Sequence, residues 1–407
     1  MPKQSRLRPL GVLENIVAAY NEEGRMSFSV MAEIAGKITI GSVERALASL
    51  QRRHPLLAVG ICKGDGGLRT FVQSAKPIPL TVSRSDETDW RNIAAIELQT
   101  RFDVETGPLM RVVVIPDANG AKFVFTFHHS ISDGISAVFL VRDLAEALGD
   151  FPLQNFRKAE SIDDWLGNPG EHGGTIQPLS QQIATDGWIR WAADLTLTPQ
   201  ISVLGLSKQL TAELKQRARL HQTTVHAALM VATTRAVSQI RNTVGPLRVF
   251  SPVNQRQLLG GRDQCGLFIS VAVTELETGA NEFWAAARAA HQQLQPYRSK
   301  QALDGFVEAV ANFSQSDDSG VGARRFLSAA MDYDIVLSNL GLLPIDERYG
   351  DVTIVSLIGP ILLNAVQGEQ VFGVTTFRDE MRLAYTSVLP LDGLLECLQQ
   401  QLQKACA

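Results

Sequence analysis

At 407 residues, 45% hydrophobic and only 20% charged, the chain is long enough to bury a substantial core and is expected to form two domains. A formal net charge of −4, with no Lys/Arg-rich face or stripe, excludes nucleic acid as an expected partner. The longest apolar run, 352–366, is broken by Gly359-Pro360 and falls short of the ~20 residues that a membrane-spanning helix needs. It reads as two buried strands or a loop, and no transmembrane segment is expected.

The start, Met1-Pro2-Lys3-Gln4-Ser5-Arg6, is basic, but Glu14, Asn21, Glu22 and Glu23 interrupt what would be the apolar core of an export signal, so a cytoplasmic protein is expected. A helix near Leu10 to Tyr20 is followed by a strand near Phe28 to Ile34. A second helix, Ser42 to Arg53, takes Ser42 as its cap, buries Val43, Ala46, Leu47 and Leu50, and stops at His54-Pro55. A strand over 56–61 comes next, and Gly64-Asp65-Gly66-Gly67 reads as a hairpin turn. Asp86 is taken to cap a helix whose apolar positions are Trp90, Ile93, Ala94 and Leu98, and strands over 109–115 and 122–127 follow.

The second of these strands ends in His128-His129-Ser130-Ile131-Ser132-Asp133-Gly134. Its alternation puts Phe123, Phe125, Phe127 and His129 on one face and Val124, Thr126 and His128 on the other. Ile135, Val138, Phe139, Val141 and Leu144 then recur at helical spacing, so the seven residues form a strand-to-helix turn, a place where catalytic groups concentrate. Two histidines followed after a three-residue gap by Asp-Gly are expected by accident in roughly one shuffled chain in a thousand or fewer, so the string is treated as a signal. Neutral imidazole, with an ordinary pKa near 6.5, is suited to accept a proton at cellular pH, and His129 is the candidate general base. His128, on the other face, is assigned a structural hydrogen-bonding role.

Residues 150–182 change character, with Pro152, Gly167, Pro169, Gly170, Gly173, Gly174 and Pro178 among polar residues. The expected division is 1–165, a linker over 166–185, and 186–407. The second half restarts with a strand over 201–206 and helices over 207–220 and 224–240, the latter capped by Thr223 or Thr224. Strands over 247–253, 267–274, 333–337, 352–357, 371–375 and 381–387 complete the chain. Cys62, Cys265, Cys397 and Cys406 have neither metal nor redox spacing and are expected to be reduced, mostly structural thiols. His221 and His226 are five apart, His54, His172 and His291 stand without a ligand cluster, and no metal site is expected. Neither a Gly-x-Ser-x-Gly elbow nor a phosphate-cradling Gly-rich loop occurs. Arg324-Arg325 and Arg298 with Lys300 are read as solvated charges rather than phosphate ligands.

The motif and its flanks resemble those of the condensation-domain superfamily, which includes chloramphenicol acetyltransferase, the BAHD acyltransferases, peptide-synthetase condensation domains and stand-alone polyketide-associated acyltransferases. The last two are the more similar. Other segments fall in the same order: Arg53-His54-Pro55-Leu56-Leu57, Gly107-Pro108-Leu109-Met110-Arg111-Val112, Pro252-Val253-Asn254-Gln255-Arg256 and Ser338-Asn339-Leu340-Gly341. The BAHD string Asp-Phe-Gly-Trp-Gly is missing, which argues against that branch. The resemblance implies an α+β fold of two chloramphenicol-acetyltransferase-like subdomains with an active-site tunnel between them. It also implies that Asp133 forms a structural ion pair, for which Arg256 is the expected partner. Gly134 is read either as a glycine that opens the helix or as a source of backbone freedom and close approach, its N–H able to hold substrate or an oxyanion. Ser338 or Asn339 either lines the tunnel as a donor or shapes a turn.

The expected activity is cofactor-independent acyl transfer from acyl-CoA or a phosphopantetheinyl acyl carrier protein, acting in trans, to a small-molecule or lipid alcohol or amine. Two rivals stand beside it: a condensation-like recruitment module without chemistry, whose mark would be a broken motif, and a same-fold enzyme of cyclisation, dehydration or hydrolysis.

Overall fold

A computed structural model describes residues 5–23, 26–64, 67–83, 89–156, 158–166, 196–260, 263–279 and 282–407. The first half runs β1 (Arg6–Pro9), α1 (Val12–Glu23), β2 (Ser27–Ala35), α2 (Ile40–Arg53), β3 (Val59–Lys63), β4 (Arg69–Gln73), β5 (Leu80–Val82), α3 (Trp90–Gln99), β6 (Met110–Asp117), β7 (Gly120–His128), α4 (Gly134–Leu148) and α5 (Ile162–Leu166). The second runs β8 (Gln200–Leu206), α6 (Lys208–Leu220), α7 (Val225–Arg241), β9 (Leu247–Asn254), β10 (Ile269–Leu276), α8 (Phe283–Leu294), α9 (Lys300–Ser316), α10 (Gly320–Ala330), β11 (Ile335–Leu342), β12 (Arg348–Tyr349), β13 (Val352–Leu362), β14 (Gln370–Phe377), β15 (Glu380–Ser387) and α11 (Leu394–Cys406). The expected α+β class is what these elements build, in two six-stranded sheets and a small three-stranded one.

The first sheet has the order β12-β13-β2-β7-β6-β5 and the second β10-β9-β11-β14-β15-β8. Sheet membership therefore cuts across the expected division at 166–185, because β12 and β13 come from the second half and pair into the first sheet through β2. The run 352–366, expected as two strands or a loop, is largely the single long strand β13. Most of the expected linker lies outside the described residues; of the stretch from Asp150 onward, 162–166 form α5. The two sheets meet where β13 crosses β14: Thr375 Oγ1 donates to the Leu357 carbonyl at 2.8 Å, and a Cβ on Gly373 would stand 1.8 Å from the Pro360 carbonyl oxygen. No side chain fits such a backbone approach. Gly373→Ala is expected to force the strands apart and cost roughly 3 kcal/mol or more, read as a drop in urea midpoint at unchanged m-value.

Alternation along the first sheet sorts its side chains into two cores. Phe123, Phe125 and Phe127 of β7, Phe28, Val30 and Ala32 of β2, and Met110, Val112 and Val114 of β6 join the main core, which α1, α2 and α4 cover. Val124, Met31, Val113 and Ile115 face the other way, into a smaller core under α3 that also takes Ile201 and Ala384 from the second sheet. The main core continues into the second half through Leu267, Phe268, Leu303, Val310 and Tyr333.

Local starts and stops refine the sequence reading in three places. Helix α2 is capped by Thr39, whose side chain accepts from the Ser42 N–H at 3.1 Å while Ser42 Oγ accepts from the Thr39 N–H at 3.0 Å; Ser42 is the reciprocal member of a capping box rather than the cap. Pro55 starts a 3₁₀ turn over Pro55–Ala58, so the strand expected from 56 begins only at Val59. Asp89 caps α3, whereas Asp86 lies outside the described residues. Thr224, one of the two expected candidates, caps α7, and β3 pairs with β4 antiparallel across the expected hairpin.

Candidate active site

The motif leaves β7 at the centre of the first sheet and turns into α4. Residue 128 still pairs with Ser27 in β2, and the His129 N–H donates to the Met26 carbonyl at 2.9 Å. The imidazole of His129 stacks at 4.9 Å on Phe28, itself stacked at 5.2 Å on Phe127, so this ring continues the aromatic face of the strand. Its Nδ1 is sealed from solvent, and the carbonyls of His129 itself and of Ser132 lie beside the ring. Burial lowers the His129 pKa, with those carbonyls and the Asp133 charge working the other way. The ring is therefore neutral at pH 7, with Nε2 as the nitrogen left to reach a ligand.

His128 turns to the opposite side, as alternation requires. Its Nδ1 lies 2.7 Å from Ser130 Oγ and accepts from the Ser130 N–H at 3.3 Å, which places its proton on Nε2. Burial, and next the neighbouring His129, push its pKa down to about 3. Both histidines are thus neutral, and only His129 reaches the cavity described below.

Asp133 makes no hydrogen bond to His129. It caps α4 through Oδ1, which accepts from the Ser136 N–H at 2.8 Å, while Oδ2 accepts from Arg256 Nη1 at 2.7 Å and from the Phe268 N–H at 2.9 Å. Burial works to raise this carboxyl, but the Arg256 charge and the three bonds outweigh it and hold the pKa below the usual range. Arg256 also donates from Nη2 to Ser136 Oγ at 2.6 Å and lies 4.8 Å over the Phe268 ring. The structure thus brings Asp133 and Arg256 together, 123 residues apart.

A segment that the sequence reading did not single out completes this support. The Gly266 carbonyl accepts from the Asp133 N–H at 3.0 Å and from Ser136 Oγ at 2.8 Å. Cys265 Sγ donates to the Ile131 carbonyl, and its N–H donates to His54 Nδ1 at 3.2 Å. His54 consequently carries its proton on Nε2, 2.6 Å from Asp143 Oδ2, and Arg142 closes on the same carboxylate at 2.7 Å. Cys265 is a buried structural thiol, pushed up to about 12 by burial. Backbone bonds leave no pattern in a sequence; the only hint was Arg53-His54-Pro55 in its family-like place.

Gly134 does not use a left-handed backbone angle, so the freedom expected of it is not what the site needs. What it supplies is close approach: a Cβ there would meet Leu340 Cδ2 at 2.7 Å. As the first two residues of α4, Gly134 and Ile135 present N–H groups with no intrahelical acceptor, and both line the same cavity as His129. Ser338 and Asn339 line it too, within β11 rather than at its end. Asn339 Oδ1 accepts from the Gly341 N–H at 2.8 Å, a turn-shaping bond, whereas the Ser338 hydroxyl is bonded to no described residue. Of the other histidines, His221 stacks on Trp284 at 4.9 Å and His226 Nε2 lies 2.9 Å from Ser251 Oγ. Lys300 pairs with Asp304 at 2.8 Å.

The cavity, about 170 Å³, takes walls from both halves: Leu13, Ile16 and Val17 of α1, Phe306 and Val310 of α9, Leu327 of α10, and Ile269 and Val271 of β10. These side chains are apolar. Besides Ser338, Asn339 and Asn254, whose Oδ1 accepts from the Arg256 N–H at 3.1 Å, the polar side chains away from the motif are a buried pair, Tyr333 and Asn364. Tyr333 donates to Glu369 Oε2 at 2.9 Å and accepts from Asn364 Nδ2 at 2.8 Å, and Glu369 Oε1 accepts the N–H groups of Asn364 and Val366 at 3.0 and 3.2 Å. Burial drives the Glu369 pKa up to about 7. A carboxyl raised from its unfolded value of 4.5 favours folding fully below that value, and the contribution is lost as pH rises through 7. The loss amounts to about 3 kcal/mol. Glu369→Gln is expected to flatten the fall in stability between pH 4.5 and 7, as read from melting temperatures across that range; an unchanged slope would place the titrating group elsewhere.

Two family descriptions match the sequence: the condensation domain over residues 3–150 and alcohol acetyltransferase over residues 88–249. Among curated relatives, the phosphinothricin tripeptide synthetase PhsC of Streptomyces viridochromogenes is 33% identical over 142 residues, which is 31% of this chain and 13% of that protein. The chain thus spans a small part of the relative it matches. Polyketide synthase associated protein 5 from Mycobacterium tuberculosis is similar in fold, with a TM-score of 0.71, 18% identity and 99% of each chain covered. Trichothecene 15-O-acetyltransferase from Fusarium sporotrichioides gives a TM-score of 0.70 at 12% identity, covering 100% of this chain and 98% of that one. Among the described residues no helix is long and apolar enough to cross a membrane. By the motif and the matching family descriptions, the chain is similar to condensation domains over residues 3–150 and to alcohol acetyltransferases over residues 88–249, within a fold that it shares from end to end with polyketide synthase associated protein 5 and trichothecene 15-O-acetyltransferase.

Proposed function

We propose that the protein transfers an acyl group from a CoA or acyl-carrier-protein thioester to an alcohol or amine, with His129 as general base. The observation that carries this reading is a neutral imidazole, stacked on Phe28 with the carbonyls of His129 and Ser132 beside its buried side, set in an apolar cavity next to the amino-terminal N–H groups of α4. In the proposed reaction Nε2 takes the proton of the acceptor O–H or N–H as its heteroatom bonds to the thioester carbonyl carbon. The carbonyl oxygen becomes an oxyanion, which the N–H groups of Gly134 and Ile135 or the Ser338 hydroxyl are suited to receive. Collapse breaks the C–S bond, and the thiolate takes the proton back from the imidazolium, so that His129 ends as it began. The apolar walls favour an apolar acyl chain or acceptor and exclude water, which competes as a nucleophile.

The test uses purified protein with acyl-CoAs and acyl-loaded carrier proteins against mixed alcohols and amines, following thioester loss and product mass. An ester or amide mass that requires both substrates is expected. Thioester loss that yields only free acid would indicate hydrolysis, and no loss with any pair would overturn the transfer reading.

A further inference from the structure

The hydrogen-bonding pair in the apolar cavity is built in one direction. Tyr333 and Asn364 are both buried, Asn364 being 7% exposed, and both line the cavity. With Glu369 ionised, as it is above pH 7, the neighbours of the Asn364 amide fix its orientation. Glu369 Oε1 receives two backbone N–H groups and Oε2 the Tyr333 hydroxyl, so the single Tyr333 proton is spent and its oxygen takes one from Asn364 Nδ2. That orients the amide, leaving Asn364 Oδ1 as an acceptor. No described residue bonds to this oxygen, and it is not among the side-chain atoms sealed from solvent. The backbone is fixed as well: the Asn364 carbonyl accepts the Tyr20 hydroxyl from α1, one helical turn beyond the cavity-lining Ile16.

We propose that Asn364 is a specificity-determining residue, whose oriented side-chain oxygen accepts a hydrogen bond from a hydroxyl or N–H group carried partway along an otherwise apolar substrate chain. The inference rests on the cavity being the substrate site. A purely hydrocarbon chain leaves the amide oxygen facing it without a partner, a desolvation cost that a chain with a donor at the right position avoids. Position matters because the acceptor is set off from the catalytic ring: Leu362, two residues before Asn364, pairs with Phe28 of β2, and Phe28 pairs with Phe127 of β7, so this end of β13 lies two strand spacings, roughly 10 Å, from the strand that carries His129. The acceptor therefore measures how far along the chain the donor lies, and substrates with one polar group at one place are selected over longer, shorter or unsubstituted homologues.

The experiment is equilibrium binding of dodecanoic acid and its monohydroxylated isomers, the hydroxyl moved from carbon 5 to carbon 12, to wild type, Asn364→Ser and Asn364→Leu. One position, or two adjacent ones, is expected to bind wild type roughly tenfold more tightly than the parent acid. Both variants should lose that preference while holding the parent acid within about threefold. Should the leucine variant fail to fold, the wild-type series still decides. Equal affinity across the series, or no binding by any member, overturns the proposal, as does a preference that survives in both variants. Pantetheine, which carries N–H and hydroxyl donors of its own, forms a second arm: if its binding alone depends on Asn364, the acceptor serves the donor's arm and not the substrate chain. Failure of acyl transfer alongside a positional preference would sink the proposed reaction and leave this inference standing.

Discussion

Replacing His129 by alanine is expected to lower acyl transfer by roughly 10²–10⁴-fold in kcat, the range that a positioned general base contributes, with the melting temperature little changed. The fold does not depend on this side chain for hydrogen bonds: its Nδ1 makes none of good geometry, and the strand is pinned by the His129 backbone N–H. The pH profile gives an independent check. Because burial lowers the His129 pKa below its ordinary 6.5, log kcat/KM should rise with unit slope at acid pH and bend to its plateau with a midpoint below 6.5. A limb centred above 6.5 would mean that another group supplies the base. Asp133→Asn separates charge from geometry. Loss of the nearby carboxylate lowers the His129 pKa further, so activity lost at pH 8 in that variant comes from a displaced ring, not from a protonated one. Equal rates in wild type and His129→Ala would remove His129 from the proton-transfer step altogether.

How much of this was legible in the sequence depends on the range of the interaction. The strand leading to the motif was readable because three phenylalanines at every second position admit one periodicity, and the two cores divide along that alternation. The turn into α4 was readable because Asp133 caps the helix it precedes. Cap identities were less so: Thr39 and Ser42 both suit a helix start, and only their reciprocal bonds decide which is which. The Arg256 partner came from resemblance, since nothing local links residues 123 apart. The Gly266 carbonyl on Asp133 and the Cys265 N–H on His54 are bonds of backbone groups that any residue carries. The polar pair in the cavity was invisible for a related reason. Tyr20, Tyr333 and the local pair of Asn364 with Glu369 come from three separate parts of the chain, and Tyr20 meets Asn364 across 344 residues. Placing β13 in the first sheet required knowing that Gly373 lets the Pro360 carbonyl pass.

The second large effect is expected at the Asp133–Arg256 pair, which is buried and fully bonded on its carboxylate side. Removing one member of such a pair leaves a charge without compensation and typically costs roughly 3–5 kcal/mol, but the two halves are not equivalent. In Arg256→Met the carboxylate keeps the N–H groups of Ser136 and Phe268 and the positive end of α4, so this change should lie near the lower bound. In Asp133→Ala the guanidinium keeps only the Ser136 hydroxyl and the Phe268 ring, α4 loses its cap, and the upper bound is expected. The double variant should recover part of the loss, because no unpaired charge remains, giving a coupling of about 2–3 kcal/mol in a urea-unfolding cycle. The acid limb carries the same information with its sign fixed in advance. The Asp133 pKa is depressed in the folded state, so its contribution is present above the unfolded value of 3.8 and is lost as pH falls through the lower folded one. Arg256→Met brings the folded pKa back toward the unfolded one and should shrink that acid-side loss. Strict additivity in the cycle, with an unchanged acid limb, would mean that the pair is a contact of geometry without energetic coupling. A coupled result would instead identify it as the clamp between the second-half segment at 266–268 and the turn that carries His129, so that either substitution lowers activity through ring position while leaving the imidazole neutral.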